Sequence, residues 1–398
     1  MKLISIQHIF VQDMNAVAGQ VYGSVSIVSA MGYVHALERS LKNIEQFSHI
    51  KLNACAVLVH DYQLRTFYNE HYALKFLQSR NPPALYGLSN GDKSKTVPVI
   101  EEGKMNVELS LLIRYEGDIY PTIEQEFIKH IMQTAYRQRF AGGSVFKIDS
   151  VNLWQLHHND SDKKIIRQLL RPLLPSFVLY QRSDVLAEYI KDNPNKDTLD
   201  ALMDFISIKS CARPNHVLID KHLEKVITDY PDVYQAWQEH LQEHDYHQSM
   251  PPQIVIDYFE NLQHNSNKKI LKANKALFDE WQNYLNPINK TSATWSYLPK
   301  PKKGYFVPMM CGYKAISPVF YAKEIANCRS KNLEDQVCFV EAVHTLAEYK
   351  STHRIKDYAG LAGALWYYHH EEHWYLCEQR QIDSINAEPN LVFDDYDF

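Results

Sequence analysis

The first half of the chain alternates between stretches of period two and stretches of helical period. Apolar residues alternate from Lys2 to Val11, which predicts a β-strand. From Ile27 to Ile44 they recur every three or four positions, which predicts an α-helix. Two more strands are predicted from Leu52 to Leu64 and from Met105 to Tyr115, and apolar and polar residues alternate in the latter.

A second helix is predicted after Pro121, ending near Gly142 and Gly143, and residues from Val145 to Leu156 can form the next strand. The order β-α-β-β-α-β is that of the ferredoxin-like fold shared by RNA-recognition domains. The sequence therefore predicts an α+β, RNA-recognition-motif-like palm. The strands lack the aromatic signature by which such domains stack bases, so base stacking on the sheet is not predicted.

A long connecting segment separates the second and third predicted strands. Turn residues crowd the stretch from Arg80 to Pro98, namely Asn81-Pro82-Pro83, Gly87 and Asn90-Gly91. We expect a protruding thumb over about residues 78–104. Its side chains that suit a nucleic-acid backbone are Arg80, Asn81, Lys93, Lys95 and Lys104.

Four amphipathic helical stretches, punctuated by proline and asparagine, occupy residues 213–295. We expect them to form a helical insertion in a palm made of residues 1–212 and 296–398. The insertion carries eight Lys or Arg against eleven Asp or Glu, a difference of −3, which favours a protein-facing or solvated role over a phosphate clamp. After it, Gly304 to Tyr321 is strand-like and Val337 to Tyr349 has helical spacing.

The composition limits the class of protein. The net charge is −5, so the chain lacks the overall basic character of many nucleic-acid binders, although a local basic groove remains compatible with it. Six scattered cysteines without a CxxC pair predict neither a disulfide framework nor a zinc knuckle, and a reducing cytoplasm fits best. No stretch is apolar for long enough to predict a membrane span.

One cluster resembles a metal site, and it runs from His369 to His373. Its spacing is not HExxH, which favours a structural or surface role, and we expect no metal or cofactor. Nucleophile-elbow and Walker motifs do not occur in the sequence. A pair of histidines such as His35 and His60 could serve as general acid and base in a metal-independent endoribonuclease.

Several short basic patterns allow two interpretations. The turn from Ala141 to Ser144 follows the second helix and is either a helix cap or a loop whose amides approach a phosphate beside Arg137 and Arg139. The first helix carries a polar stripe of His35, Arg39 and Lys42. A later helical run carries Lys163, Lys164, Arg167 and Arg171. Each set is either a solvated face or a nucleic-acid contact.

The order of several phrases resembles the Csy-two family of type I-F CRISPR surveillance complexes, also called Csy or Cascade complexes. The phrases are Ser5-Ile6-Gln7, Gly32-Tyr33-Val34-His35-Ala36-Leu37-Glu38-Arg39, Arg80-Asn81-Pro82, Glu101-Glu102-Gly103, Arg139-Phe140-Ala141-Gly142-Gly143-Ser144, Leu173-Leu174-Pro175, Gly312-Tyr313 and Leu365-Trp366-Tyr367. They are colinear across residues 4–212 and about 303–370. The segment 213–295 is longer than the connection that we expect from this family.

The resemblance implies a non-catalytic, tail backbone-type subunit that binds the 5′ handle of the CRISPR RNA in antiviral defence. It implies pairing with the large Csy-one subunit, contact with the neighbouring Csy-three subunit, and access to target DNA only through the assembled complex. The implied RNA contacts are Arg39, Arg80, Asn81, Arg139, Gly142, Gly143 and Ser144, followed by His35, Lys104, Arg137, Arg167, Arg171 and Lys314. The alternatives are the endoribonuclease and an adaptor that binds only protein.

Overall fold

The computed structural model describes residues 1–19, 21–68, 74–80, 99–158, 162–242, 250–264, 267–287 and 292–380, and all structural statements refer to these. The chain falls into two compact units. Unit 1 comprises Met1–Leu202 with Gly304–Phe398, and unit 2 comprises Met203–Lys303. The predicted insertion, residues 213–295, lies inside unit 2.

Strands and helices alternate along much of the chain. The strands are β1 (Lys2–Asn15), β2 (Val17–Ala18), β3 (Val21–Tyr22), β4 (Lys51–Leu64), β5 (Thr66–Tyr68), β6 (Leu74–Arg80), β7 (Val99–Glu102), β8 (Lys104–Glu116), β9 (Arg139–Phe140), β10 (Gly143–Lys147), β11 (Ser150–Gln155), β12 (Phe177–Gln181), β13 (Ser210–Pro214), β14 (Ala293–Tyr297), β15 (Tyr305–Ala315), β16 (Phe320–Tyr321), β17 (Gln336–Val337), β18 (Val340–Ser351), β19 (Trp366–Glu371) and β20 (Trp374–Gln379). The helices are α1 (Ile27–Lys42), α2 (Glu124–Arg137), α3 (Asp162–Leu170), α4 (Ser183–Asp192), α5 (Thr198–Ile206), α6 (Val217–Lys225), α7 (Pro231–Gln242), α8 (Gln253–His264), α9 (Lys268–Ala273), α10 (Lys275–Leu285) and α11 (Tyr358–Ala362).

A large antiparallel sheet organises unit 1. Its strand order is β12-β18-β15-β20-β19-β4-β8-β1-β10-β9, while β11 also pairs with β1 and β12 also pairs with β4. Strand β1 lies between β8 and β10. It pairs with β8 along its whole length, from Lys2 opposite Tyr115 to Asn15 opposite Lys104. The mixture of helices with a large antiparallel sheet confirms the predicted α+β class.

Helices pack on both faces of the central strands. On β1, Ile4 and Ile6 point to the face where α1 and α2 pack, whereas Leu3 points to the face covered by α3 and α11. Helix α1 forms because its apolar stripe meets this sheet and because the Ser26 hydroxyl accepts a hydrogen bond from the Ser29 amide as its N-cap. Beyond these helices the second face is open, since Asp61 on β4 and Phe146 on β10 are exposed.

Three predicted elements differ from the structure. Helix α2 ends at Arg137 rather than near Gly142, because residues 139–147 pair with each other and with β1. The strand predicted from Val145 to Leu156 is two strands, β10 and β11, which pair with different halves of β1. The helical spacing from Val337 to Tyr349 belongs mostly to a strand, β18. Backbone pairing with β12 and β15 outweighs the spacing of its apolar residues.

Unit 2 has its own core of aromatic residues. Trp237 and Trp281 are fully buried among α6, α7, α8 and α10, and they pack with Phe259. Strands β13 and β14 form a two-stranded ribbon in this unit. Arg213, on the ribbon, is buried and donates hydrogen bonds to the carbonyl oxygens of His240 and Leu241.

Within the described ranges, the structure contains no helix that combines the length and apolar character needed to cross a membrane.

Candidate nucleic-acid interface

The end of β1 brings two separate loops together. The Asn15 amide donates to the carbonyl of Ala141 at 2.9 Å, and the Ala16 amide donates to the carbonyl of Gly103 at 2.8 Å. Asn15 also lies opposite Lys104 in the β1–β8 register. We call this region, residues 15–16, 103–104 and 139–144, the thumb end of the sheet.

The stem of the predicted thumb is a β-hairpin. Strands β6 and β7 pair antiparallel, with Arg80 opposite Val99 as the last described pair. At its base, a Cβ atom on Gly103 would overlap the side chain of Val17, so only glycine lets the stem pack this closely on β2. Asn81 and the rest of the predicted loop, residues 81–98, lie outside the described residues, as does the side chain of Arg80.

The turn from Ala141 to Ser144 is not a helix cap. Ala141 and Gly142 have φ angles of 45° and 80° and join β9 to β10, as in a two-residue type I′ hairpin. Around Gly142 a Cβ would meet nothing within 4 Å, so only its backbone conformation favours glycine. Around Gly143 a Cβ would lie 2.6 Å from the Met14 nitrogen, so this glycine allows the hairpin to cross β1.

Helices α1 and α2 pack against each other and against the β9–β10 hairpin at the edge of the sheet. The Tyr33 hydroxyl donates to the carbonyl of Ala135 at 2.8 Å, and its ring lies 5.2 Å from that of Phe140. Burial raises the pKa of Tyr33, so the hydroxyl remains a donor near neutral pH. Further along, Ser40 contacts His130 at 2.7 Å. Desolvation and the charge of Arg137 lower the pKa of His130, so it adds little positive charge here.

The exposed surface of α1, α2 and the β9–β10 hairpin carries cations without carboxylate partners. His35 and Arg39 are exposed on α1, Arg137 is exposed at the end of α2, and Arg139 and Ser144 are exposed on the hairpin. No carboxylate pairs with Arg39, Arg137 or Arg139 in the part of the chain that the structure describes. The Arg139 side chain contacts the Gly142 carbonyl at 3.2 Å. Such arginines are available for phosphate oxygens.

The opposite face holds a network that we call the histidine clasp: His8, His60, Glu108, Ser110 and the carbonyls of Pro172 and Pro175. The two imidazole rings stack with centroids 4.3 Å apart. His8 contacts Glu108 at 2.7 Å and the Pro172 carbonyl at 2.8 Å. His60 contacts Ser110 at 2.7 Å and the Pro175 carbonyl at 3.0 Å. The clasp therefore ties segment 171–175 to the sheet.

The partners determine the charge of each ring. Both contacts of His8 are acceptors, so its two nitrogens can donate to both only when the ring is an imidazolium. Desolvation lowers the pKa of His8, but the Pro172 carbonyl and Glu108 outweigh it, so this pKa lies above its ordinary value. Desolvation, together with the charge of His8, lowers the pKa of His60, and a neutral His60 can accept from Ser110.

Three predicted contacts lie away from the thumb end. Arg167 and Arg171 are exposed on α3 and on the single helical turn Arg171–Leu173, which pack on the face opposite α1. Lys314 on β15 lies at the other end of the sheet, opposite Trp374 on β20. Its ammonium lies 4.7 Å from the Trp374 ring centroid. The predicted set is therefore three surfaces rather than one.

The structure also reveals a residue that sequence reasoning missed. Tyr22 is 64% exposed on β3, and its ring lies 5.8 Å from that of Phe76 on the thumb stem. It could offer a flat surface to an unpaired base beside the thumb. No periodicity marks it, because β3 is only two residues long.

The proposed ribonuclease pair does not come together. His35 lies on α1, whereas His60 points to the opposite face of the sheet and is held by the clasp. The segment from His369 to His373 is the β19–β20 hairpin, where consecutive side chains point to opposite faces. Within the described residues, no three His, Cys, Asp or Glu side chains form a group that could hold a metal ion.

Comparison with known proteins identifies the family. Residues 4–246 and 238–377 match the family described as CRISPR-associated protein (Cas_Csy2). The chain is 26% identical over 384 residues to "CRISPR-associated protein Csy2" of Pseudomonas aeruginosa (strain UCBPP-PA14), covering 93% of this chain and 92% of the relative. The chain belongs to the Csy2 family.

This membership confirms the resemblance and changes one expectation. The Csy2 match continues through residues 213–295, so the helical segment is part of the family match rather than an addition to it. The Csy2-like phrases Gly32 to Arg39 and Arg139 to Ser144 fall on α1 and on the β9–β10 hairpin. These two elements contact each other through Tyr33 and Phe140.

Proposed function

We propose that this chain is a non-catalytic subunit of a type I-F CRISPR Csy complex and binds the 5′ handle of the guide RNA. Membership of the Csy2 family supports the complex. One observation carries the RNA contact: the thumb base and the β9–β10 turn meet at Asn15 and Ala16, next to Arg139, which is exposed and has no carboxylate partner in the described residues. Phosphate oxygens suit such donors.

The palm in this proposal is ferredoxin-like. The strand order β11-β1-β8-β4, with α1 and α2 on one face, is the order expected when a β-α-β-β-α-β unit folds into one antiparallel sheet. Since α3 and α11 cover part of the other face, the RNA is proposed to follow the thumb end rather than lie on the sheet.

The residues take different roles in this proposal. Arg39 and Arg139 contact phosphates, Ser144 donates a hydroxyl, and Gly142 and Gly143 let the backbone approach the RNA. His35 on α1, Lys104 on β8 and Arg137 on α2 add weaker contacts. Arg80 and Asn81 act from the thumb. Arg167, Arg171 and Lys314 contact RNA from the other two surfaces.

The protein partners are proposed from the family resemblance and from one surface. Near Lys314 the segment after β15 exposes several large apolar side chains, namely Ile316 at 55%, Val319 at 59%, Leu333 at 62% and Phe339 at 55%. Exposed apolar surface of this kind suits a lasting protein interface. We propose the large Csy-one subunit as its partner, with Csy-three beside the palm and target DNA reached through the guide.

The test is coexpression with the other type I-F subunits and a guide, followed by purification through a tag on this chain. We expect a mature guide and a large partner to copurify. Arg39→Glu with Arg139→Glu should release the guide while the partner remains. Ile316→Asp with Phe339→Asp should release the partner while the guide remains.

Two outcomes would contradict the proposal. A partner recovered without RNA, and with no crosslink to the thumb, would support the protein-only adaptor. Precursor RNA cleaved by this chain alone would support the ribonuclease.

A further inference from the structure

Strand β14 in unit 2 displays two large aromatic side chains to solvent. Trp295 is 69% exposed and Tyr297 is 79% exposed. Alternate residues of a strand point to one face and lie about 6.6 Å apart, so the two side chains stand side by side on the same face of the ribbon. Trp237 and Trp281, in contrast, are buried in the core of this unit.

The rest of the ribbon leaves these side chains uncovered, and its other face is anchored. The residues opposite Trp295 and Tyr297 on β13 are Ala212 and Ser210, whose side chains are too small to cover them. The neighbouring Arg213 points to the other face, where it is buried and bonded to the carbonyls of His240 and Leu241. The ribbon is therefore anchored on one face and aromatic on the other.

Positive charge follows directly along the chain. Lys300, Lys302 and Lys303 are exposed, and none pairs with a carboxylate in the described ranges. Pro299 and Pro301 favour an extended backbone here, which keeps the lysines from folding back into a helix. In contrast, the ammonium of Lys209, the residue before β13, pairs with Asp204.

We propose that this surface, residues 295–303, binds single-stranded nucleic acid, with bases stacked on Trp295 and Tyr297 and phosphates held by the three lysines. Aromatic side chains on a strand beside cations are the usual platform for unpaired strands. Their separation of about 6.6 Å exceeds the rise of about 3.4 Å per nucleotide in a duplex, so the platform suits splayed bases. The cations favour a polyanion over an apolar protein partner.

This binding site does not rest on the handle contact proposed above, since it uses only residues of unit 2. Stacking is tolerant of sequence, because every base has a flat face. The ligand class is therefore any unpaired strand, RNA or DNA, rather than a defined motif.

The test uses the purified full chain and a fluorescently labelled twelve-nucleotide oligothymidine, with anisotropy as the readout. The double variant Trp295→Ala with Tyr297→Ala should weaken binding at least tenfold. Trp295→Phe should keep most of the affinity, because the ring remains, which guards against a folding defect. Tyr120→Ala is the matched control, since Tyr120 is 64% exposed in unit 1, and it should leave the affinity unchanged.

Salt dependence tests the lysines. Replacing Lys300, Lys302 and Lys303 by serine should reduce the slope of log affinity against log salt by about 2, at about 0.7 for each phosphate contact on a single strand. Equal affinity of the aromatic double variant, or equal competition by a twelve-base-pair duplex, would overturn the proposal. So would loss of oligothymidine binding in Arg139→Glu alone, because that result would locate all binding at the thumb end.

Discussion

The thumb end and the histidine clasp are both built from polar groups on the same strands, yet they differ in how those groups are satisfied. In the clasp, all four ring nitrogens of His8 and His60 have partners, and two of these are backbone carbonyls of one loop. At the thumb end, Arg139 contacts one carbonyl and no carboxylate within the described residues, and Arg39 on α1 and Arg137 on α2 are also exposed.

This contrast separates polar groups that hold the fold from polar groups available to a ligand. A satisfied and partly buried network stabilises one arrangement of the chain, and removing any member leaves its partners unpaired. Exposed and unpaired cations add little to stability, so their loss affects binding instead. The two regions should therefore respond to substitution in opposite ways.

The largest effect should come from charge reversal of the two arginines proposed to contact phosphates, Arg139 at the thumb end and Arg39 on α1. Arg39→Glu with Arg139→Glu should lower the affinity for handle RNA about 100-fold, at roughly 1.5 kcal/mol for each charged contact. The matched pair Arg167→Glu with Arg171→Glu lies on the clasped face and should cost less. Filter binding at fixed salt measures both. Equal losses in the two pairs would remove the distinction between the surfaces.

The next effect concerns the two glycines of the hairpin. Gly143→Ala should lower the free energy of unfolding by about 1–3 kcal/mol, because its Cβ would overlap the backbone of Met14. Gly142→Ala should cost about 1 kcal/mol, because only the positive φ is strained. Urea unfolding of the purified chain measures both. A larger cost for Gly142→Ala would contradict the assigned packing.

Removing the shared hydroxyl should weaken the clasp. Ser110 accepts from the His8 amide at 2.9 Å and contacts His60 at 2.7 Å. Ser110→Ala leaves both groups without this partner and should cost about 1–3 kcal/mol of stability. Thermal unfolding gives the value, and Ser144→Ala, at the exposed thumb end, is the control that should stay within about 0.5 kcal/mol.

The smallest effect is a dependence on pH. His8 has a raised pKa, so its contribution to stability is complete below pH 6.5 and is lost as pH rises through its folded value. His60 has a lowered pKa, so its contribution is present above pH 6.5 and is lost as pH falls through its folded value. Glu108 and Asp149 are the anions that act on His8.

The two histidines together should place a stability maximum near pH 6.5. Melting temperatures from pH 5.5 to 8.0 test this, with His8→Gln expected to flatten the alkaline side and His60→Gln the acidic side. A profile that neither variant changes would mean that the clasp does not titrate in this range.

Local pattern predicted much of the fold but little of the site. Strands β1, β4 and β8 and helix α1 were predicted because each has a strong period and a buried face. Strand β18 was predicted as a helix because its apolar spacing is ambiguous, and only its partners along the sheet decide its conformation.

The candidate site depends on contacts between residues far apart in the chain. Arg139 and the glycines were predicted from their turn, but the contact of Gly143 with Met14 and the proximity of Asn15 to Ala141 follow only from the folded sheet. His8 and His60 are 52 positions apart, and nothing in either neighbourhood indicates that they stack. The contacts of Asn81 stay a prediction.

The ribbon of unit 2 closes a loop in the chain. Lys209 and Leu298 are joined by a backbone hydrogen bond of 2.9 Å, so the 88 residues between them leave and return at one point. A segment tethered in this way can lengthen, shorten or be exchanged between relatives without moving the residues on either side of it.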